Sequence, residues 1–437
     1  PLLERIWYTG AYTVHLCMQD EVWDAPKRDR LPWMGDLHPE ARVIHYVFAD
    51  KLLLRHTMDR LLRDAQAPTG DRLVRHINGI PGYSCAWVLG LAEDYRFSGD
   101  FDYLKSRRDG LVQVLDYLRS ETDGRGLFAN RNGEWPFVDW APALGGGSAT
   151  ADQLVATHLF LCAALREAVW MLRALGDPET ARFEAWQRQA VAAAHDYLLD
   201  QAACTFGPRR QVNAMAVFSG VAVPEEIGRI YHTVLGQAVP EGDRVTPYYN
   251  FYVCEAMAAA GRYQETLDFI RGYWGAMLAR GATTWWEVFD PRDAPTAEVP
   301  LGGPDWHGGM GYGTSLSHGW GSGPTDWLSH YVLGVWPSSP GFSTAEIVPH
   351  LGDLGWAQGT VPTPRGLIRV RHERGSNGLR SWVRLPQGIT ARVGLARGQA
   401  ARGVVVLNGS TVAPESADQE SVYVRLQGPG RYRLEVR

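Results

Sequence analysis

Cysteine is scarce in this chain, and its pattern excludes a disulfide framework. The 437 residues contain five cysteines, an odd number, and no two stand in a Cys-x-x-Cys or Cys/His ligand spacing. They are Cys17, Cys85, Cys162, Cys204 and Cys254. We expect free, buried thiols. The chain also lacks a Gly-x-Ser-x-Gly elbow, a phosphate-binding glycine loop and a His-Glu-x-x-His motif, so we predict no metal and no organic cofactor.

Long apolar runs and a strong excess of one charge are also missing. No stretch reaches 18 uncharged apolar residues, and the best candidate, 154–165, contains His158 and has the length of a buried helix. A net charge of −5 leaves no basic field for nucleic acid. We therefore expect neither a membrane nor a nucleic acid as partner.

The chain opens on Pro1, with no initiator methionine and no signal-peptide pattern. We expect it to be part of a longer protein. The sequence fits both a cytoplasmic and a secreted protein. It does not indicate the oligomeric state.

Two hydrophobic periodicities divide the sequence. From about residue 39 to 334, apolar residues recur at helical spacing, and short Gly-containing connections predict antiparallel helical hairpins. Nine such segments can be read, at 39–66, 82–98, 101–120, 149–175, 179–203, 224–237, 246–260, 262–279 and 311–333. After about 337 the period changes to two, which predicts a small all-β domain of the sandwich type. Two long loops, 124–149 and 290–314, exceed what a hairpin needs and are candidate carriers of function.

A loop rich in acidic residues and tryptophan, 23–36, is the most informative feature present. Its prolines block a regular helix, so Asp24, Asp29 and Asp36 can turn towards one ligand. Carboxylates accept hydrogen bonds from sugar hydroxyls, while indoles such as Trp33 cover an apolar sugar face. The 17 tryptophans and 18 tyrosines of the chain fit a carbohydrate-handling surface. A solvated loop with local ion pairs is the alternative interpretation.

Three blocks in the same order resemble the α-L-rhamnosidases of glycoside hydrolase family 78. The family pattern Asp-x-Pro-x-Arg-Glu-x-x-x-Trp-x-Gly-Asp is matched without a gap from Asp24 to Asp36, with Asp29 in place of Glu. Thr-Thr-x-Trp-Glu is matched at 283–287, and an Asp-Trp pair at 139–140. The resemblance covers most of the chain.

This resemblance implies a mainly α fold, an (α/α)6 barrel followed by a β-sandwich, and an inverting hydrolase that releases terminal α-L-rhamnose from a carbohydrate substrate. We expect an entry segment and acidic loop at 1–38, the barrel at 39–336 and the sandwich at 337–437. Asp29 corresponds to the general acid and Glu287 to the general base. The expected substrate-binding residues are Asp24, Arg28, Trp33, Asp36, Trp87, Asp139, Trp140, Trp286 and His318. Core packing is the alternative for each tryptophan, and a structural ion pair for Asp24 and Asp36.

Asp29 departs from the family pattern, because aspartate is one methylene shorter than glutamate. An adjacent cation also opposes the protonated state that a general acid needs. We therefore expect Arg28 to face substrate, or to pair with Asp24 or Asp36, leaving Asp29 in a partly desolvated and negative setting.

Two other functions fit the same residues. A six-hairpin hydrolase or lyase for uronic-acid sugars would use Arg28 to face the sugar carboxylate. A non-catalytic carbohydrate-binding protein would keep the tryptophans after losing the usual acid.

Overall fold

A closed ring of helices forms the N-terminal part of the computed structural model, which describes residues 1–293, 314–375, 378–397 and 404–436. The helices are α1 (Leu2–Cys17), α2 (Met34–Val47), α3 (Lys51–Ala65), α4 (Pro81–Ser98), α5 (Phe101–Ser106), α6 (Arg108–Ser120), α7 (Ala151–Leu175), α8 (Thr180–Tyr197), α9 (Arg210–Phe218), α10 (Pro224–Ile230), α11 (Pro247–Ala259), α12 (Tyr263–Ala279) and α13 (Gly323–Trp327). Single π turns, Tyr231–Leu235 and Leu328–Val332, continue α10 and α13.

Within the described residues, six inner helices make up the ring: α2, α4, α7, α9, α11 and α13. Each packs against the next, and α13 packs back against α2. Nearly every residue of α4 and α11 is buried, as expected for helices enclosed on all sides. Outer helices precede the inner ones in the chain, which gives six hairpins. The predicted (α/α)6 barrel is therefore confirmed.

Helix α7 shows how the sequence defines an element of this barrel. Thr150 and Gln153 form a capping box at its start, and Gly176 ends it in the left-handed conformation. On length and composition alone this helix passes a test for a membrane span, but 78% of its most apolar window is buried inside the protein. An inner barrel helix accounts for its hydrophobicity.

Several helix boundaries differ from the sequence prediction. Helix α1 lies inside the predicted entry segment and packs against α12 and α13, so it is the outer helix of the first hairpin. Helix α9 was not predicted, because buried polar residues such as Gln211 and Asn213 interrupt its apolar pattern. The predicted segment 39–66 is two helices, separated at residues 48–50. Residues 311–313 of the last predicted segment, and 294–313 of the second long loop, lie outside the described residues.

The C-terminal domain is a sandwich of two sheets, as predicted. Its strands are β1 (Val335–Pro337), β2 (Thr344–Ile347), β3 (Trp356–Thr363), β4 (Gly366–Arg374), β5 (Leu379–Leu385), β6 (Thr390–Ala396), β7 (Val405–Leu407), β8 (Ser410–Val412), β9 (Ser416–Ala417), β10 (Ser421–Gln427) and β11 (Gly430–Val436). One sheet has the order β1-β2-β6-β10-β9 and the other β3-β4-β5-β11-β7-β8. Strands β2 and β6 run parallel, and the other paired strands of the two sheets, within the described residues, are antiparallel.

Candidate active site

A pocket opens where the inner helices begin. It encloses about 390 Å³ of empty space, mouth included. The segments that precede α2, α4, α7 and α13 supply its walls, so the positive ends of several helix dipoles face it. The lining residues are Asp24, Arg28, Asp29, Trp33, Asp36, Ile80, Tyr83, Trp135, Phe137, Trp140, Glu287, His318 and Trp320.

Asp24 shapes the acidic loop from beneath. Its side chain is buried, and its two carboxylate oxygens accept hydrogen bonds from the backbone N–H of Asp29, at 2.8 Å, and of Leu31, at 3.1 Å. The Asp24 carbonyl accepts a further bond from the N–H of Gly319, at 2.8 Å. Asp24 therefore ties the loop before α2 to the segment before α13, and presents Arg28 and Asp29 to the pocket.

Arg28 bridges the two carboxylates that the resemblance assigns to catalysis. Its Nη1 lies 3.1 Å from Asp29 Oδ1, and its Nη2 lies 2.6 Å from Glu287 Oε2. These two nitrogens belong to one planar guanidinium and are roughly 2.3 Å apart, so at most about 8 Å separates the two oxygens. Residues 29 and 287 thus meet across one cation, although 258 positions separate them in the sequence.

The expected setting of Asp29 is wrong in this structure. Arg28 pairs with Asp29 and Glu287, rather than with Asp24 or Asp36. The Asp29 side chain is 38% exposed at the mouth, whereas that of Glu287 is 3% exposed. Asp24 already uses both of its carboxylate oxygens to bind the loop backbone.

Glu287 is held rigidly at the floor of the pocket. Its Oε2 accepts a hydrogen bond from the backbone N–H of Ser315 at 2.8 Å, in addition to the bond from Arg28. The Glu287 carbonyl accepts a bond from the indole N–H of Trp320 at 2.9 Å. A buried carboxylate fixed in this way is suited to orient a water molecule.

His318 and Asp36 form a buried ion pair beside Glu287. His318 Nε2 lies 2.8 Å from Asp36 Oδ1, and Nδ1 lies 4.0 Å from Glu287 Oε2. Burial opposes protonation of the imidazole, but Glu287 and Asp36 outweigh it and raise the pKa of His318 to about 9. Burial raises the pKa of Asp36 to about 6, against the opposing effect of His318. At pH 7 the pair is imidazolium and carboxylate.

Glu40 lies one helical turn beyond Asp36 on α2, and no motif pointed to it. It is fully buried. Burial first, and then Asp36 and Asp24, raise the pKa of the Glu40 carboxyl well above its ordinary value. Burial and the neighbouring carboxylates thus favour the protonated form of Glu40.

Aromatic side chains from three segments form one wall of the pocket. The ring of Trp33 meets Tyr83 edge-on at 6.2 Å, and Tyr83 meets Phe137 edge-on at 6.1 Å. Phe137 in turn contacts Trp135 at 5.1 Å and Trp140 at 4.8 Å. Such a surface is suited to the apolar face of a sugar ring. In the part of the chain that the structure describes, no cluster of three His, Cys, Asp or Glu side chains could hold a metal ion.

Comparison with known families accounts for both domains. The model of the bacterial alpha-L-rhamnosidase 6 hairpin glycosidase domain matches residues 1–332, and that of the bacterial alpha-L-rhamnosidase C-terminal domain matches residues 334–410. The chain belongs to the bacterial α-L-rhamnosidase family. The resemblance to family 78 is thereby confirmed.

Individual relatives agree with this family. An alpha-L-rhamnosidase of Alteromonas sp. (strain LOR) is 24% identical over 387 residues, which are 84% of this chain and 41% of that protein. The crystal structure of a GH78 rhamnosidase of Bacillus sp. GL1 has a TM-score of 0.73 and 26% identity, over 86% of this chain and 40% of the other. The chain therefore spans about two fifths of the length of these relatives.

The fold is also shared with a more distant rhamnosidase. The Streptomyces avermitilis alpha-L-rhamnosidase, solved in complex with L-rhamnose, has a TM-score of 0.79 at 18% identity, over 99% of this chain and 41% of the other. At this identity the similarity shows the fold alone.

Most predicted site residues line the pocket of this family member. The structure brings together Asp24, Arg28, Asp29, Trp33, Asp36, Trp140, Glu287 and His318. Their roles towards a ligand stay predictions.

Three residues predicted to bind substrate lie outside the pocket lining. Trp87 is fully buried in α4, and its indole N–H donates to the Met58 carbonyl at 3.0 Å, so it is a core residue. Trp286 is buried in a second core cluster and packs edge-on against Phe289. Asp139 is buried behind the aromatic wall, where it accepts hydrogen bonds from Thr246 and Gln211. In each case, a hydrogen-bond partner or a packing neighbour holds the side chain in the protein interior.

Five lining residues were not predicted. Trp135 and Phe137 lie in the loop 124–149, which the sequence did single out, and they directly precede the Asp139–Trp140 pair. Ile80 and Tyr83 flank the start of α4, and Trp320 follows His318. Proximity to Asp139–Trp140 and to His318 could have found Trp135, Phe137 and Trp320, whereas no recognised block lies near Ile80 and Tyr83.

Proposed function

We propose that this chain is an inverting glycoside hydrolase that releases terminal α-L-rhamnose from a glycoside. The observation that carries the proposal is the meeting of Asp29 and Glu287 across Arg28, in a pocket with an aromatic wall. Membership of the family supports the sugar, as does the bound L-rhamnose of the Streptomyces relative.

In the proposed reaction, Asp29 protonates the leaving oxygen while Glu287 deprotonates a water on the opposite face of the sugar. Inverting enzymes hold the two carboxyl groups about 6.5 to 9.5 Å apart to leave room for that water. The upper bound of about 8 Å set by the guanidinium admits such a separation. The exposed position of Asp29 favours the acid role, since the leaving group departs towards solvent, and the buried position of Glu287 favours the base.

Arg28 changes partners in this proposal. An adjacent guanidinium stabilises a carboxylate, whereas a general acid has to carry a proton. We expect the incoming sugar to displace Arg28 from Asp29. The Nη1 group of Arg28 would then donate a hydrogen bond to a ring hydroxyl of the sugar. The bond to Glu287 can persist, because the base has to be ionised.

The experiment is hydrolysis of p-nitrophenyl α-L-rhamnoside by the wild type, Asp29→Asn and Glu287→Gln. Each variant should lose turnover by about 10³-fold or more, which corresponds to about 4 kcal/mol of barrier. Asp71→Asn, an exposed carboxylate outside the pocket, is the matched control and should retain activity. The anomer released first, read by NMR, tests inversion.

A folded wild type that binds L-rhamnose without turnover would instead make the chain a carbohydrate-binding protein. Full activity of Asp29→Asn would remove Asp29 from the acid role and leave Glu287 as the only assigned carboxylate.

A further inference from the structure

The outer face of the second sheet carries a concentration of arginines. The registers of β4, β5 and β11 place Arg369, Arg384 and Arg431 side by side in one row. The next outward row contains Arg371, Trp382 and Arg433 in the same order. All five guanidinium groups are exposed, in a chain whose net charge is −5.

Four of these arginines have no counter-ion within the described part of the chain. Among the described residues, no carboxylate lies within salt-bridge distance of Arg369, Arg384, Arg431 or Arg433, and only Arg371 is paired, with Glu373. Like charges directly opposite on neighbouring strands destabilise a sheet. Three arginines in one row thus cost stability and make no ion pair with any residue that the structure describes, which points to an anionic ligand.

The shape of the face fits an extended chain. Two adjoining grooves, of about 660 and 910 Å³ with open solvent included, share Arg369, Arg384 and Arg431. Neighbouring strands are about 4.8 Å apart, so the row spans about 10 Å across three strands. Trp382 lies in the middle of the second row, and Trp356, on the edge strand β3, is 56% exposed within 5.3 Å of the Arg371 guanidinium. Sugar rings can stack on these indoles while acidic groups meet the arginines.

We infer that this arginine face, defined by Arg369, Arg371, Arg384, Arg431 and Arg433 with Trp382, binds a polysaccharide that carries uronic-acid carboxylates. Planar guanidinium groups match carboxylates in a bidentate manner, and on this sandwich Arg371, Arg392 and Arg425 already pair with carboxylates. The choice of a polysaccharide over other polyanions rests on the proposed function. The face would hold an acidic glycan, and the pocket would remove terminal rhamnose from it.

The test is binding of polygalacturonate by the full chain, measured by isothermal titration calorimetry at low and high salt. The double variant Arg384→Gln/Arg431→Gln should weaken binding by about tenfold or more, and 0.5 M NaCl should abolish the difference. The matched control, Arg392→Gln/Arg425→Gln, removes two paired arginines from the other sheet and should stay within twofold of the wild type. Neutral dextran should not bind.

Several results would overturn the inference. The first is that the wild type and the double variant bind polygalacturonate equally well. The second is that dextran binds as tightly as polygalacturonate. The third is that duplex DNA, added at equal charge, displaces polygalacturonate. Dextran sulfate tests the carboxylate assignment. If the double variant loses as much affinity for dextran sulfate as for polygalacturonate, the face binds sulfated glycans and the carboxylate assignment is contradicted. Hydrolysis of p-nitrophenyl α-L-rhamnoside, measured in parallel, should be unchanged in the double variant. Binding without hydrolysis defeats the proposed function alone, and hydrolysis without binding defeats this inference alone.

Discussion

At the scale of single residues, His318 provides the positive charge that lets two carboxylates lie side by side in a buried pocket. The imidazole lies between Asp36 and Glu287 and is 4% exposed. Its pKa of about 9 in the folded protein stands above the ordinary histidine value of 6.5. A raised folded pKa contributes stability that is fully present below pH 6.5 and is lost as the pH rises through 9.

His318→Gln should therefore be destabilising at neutral pH and much less so in alkali. A pKa of about 9 in the folded protein, against 6.5 for an ordinary histidine, corresponds to about 3 kcal/mol near pH 6. The difference in free energy of unfolding between wild type and variant should narrow as the pH rises through 9. Denaturant unfolding at several pH values measures it. His56→Gln replaces an exposed histidine and should show no such trend. A difference that stays constant from pH 6 to 10 would rule out the ion pair as its source.

The residues that sequence reasoning found are those fixed by contiguous blocks. From Asp24 to Asp36 the spacing alone identified five lining residues, because one loop and the first turn of α2 direct all of them towards the same space. Trp87 and Trp286 were assigned wrongly, since residue type does not reveal which side of a helix or loop a tryptophan faces. Arg28 was assigned to the pocket, but its pairing with Glu287 was not predicted, because the two residues are far apart in the sequence and meet only in the folded protein.

At the scale of elements, the aromatic loop before α7 depends on one buried carboxylate. Asp139 Oδ2 accepts from the Gln211 side-chain amide at 2.9 Å, and Oδ1 accepts from the Thr246 hydroxyl. Gln211 lies on α9 and Thr246 caps α11, so the loop is fastened to two inner helices. Burial raises the pKa of Asp139 to about 6, while the bonds from Thr246 and Gln211 oppose that rise.

Asp139→Asn should weaken substrate binding more than turnover. The side-chain NH₂ of the asparagine cannot accept a hydrogen bond, so either Gln211 or Thr246 would lose its acceptor. The loss of this hydrogen bond costs about 1 to 3 kcal/mol of stability. A displaced aromatic wall should raise KM for p-nitrophenyl α-L-rhamnoside by about tenfold, with a smaller change in kcat. Steady-state kinetics measures both constants, with Asp116→Asn, an exposed carboxylate on α6, as control. A fall in kcat at constant KM would place Asp139 in the chemistry and contradict the positioning role.

Elements with regular apolar spacing were predicted well, and those with buried polar residues were not. Helices α4, α7, α11 and α12 lie within a few residues of their predicted bounds. Helix α9 escaped prediction because Arg210, Gln211 and Asn213 occupy core positions that the fold satisfies with tertiary hydrogen bonds. The partners of Gln211 lie in distant segments and leave no local pattern, whereas those of Asn213 lie in the loop directly before the helix.

At the scale of the whole molecule, barrel and sandwich share one hydrophobic cluster. The Tyr46 hydroxyl of α2 donates to the Val335 carbonyl of β1 at 2.8 Å, and Phe97 of α4 packs edge-on against Phe342 at 5.7 Å. Backbone packing at this contact is close. A Cβ on Gly99, which ends α4 with a positive φ of 66°, would lie 2.8 Å from the Cα of Gly341. Since a shared apolar interface couples domains, we expect both to unfold together.

Phe342→Ala tests that coupling. The side chain is fully buried, so its removal should cost about 3 to 5 kcal/mol. Because the cavity lies between the domains, the loss should lower the melting temperature of the α4 helix and of the sandwich strands alike. Differential scanning calorimetry with hydrogen exchange of both regions follows the two domains separately. Phe183→Ala opens a comparable cavity in α8, inside the barrel, and cooperative unfolding predicts that it also lowers the melting temperature of the sandwich. A sandwich that melts at the wild-type temperature in Phe183→Ala would show that the domains unfold independently.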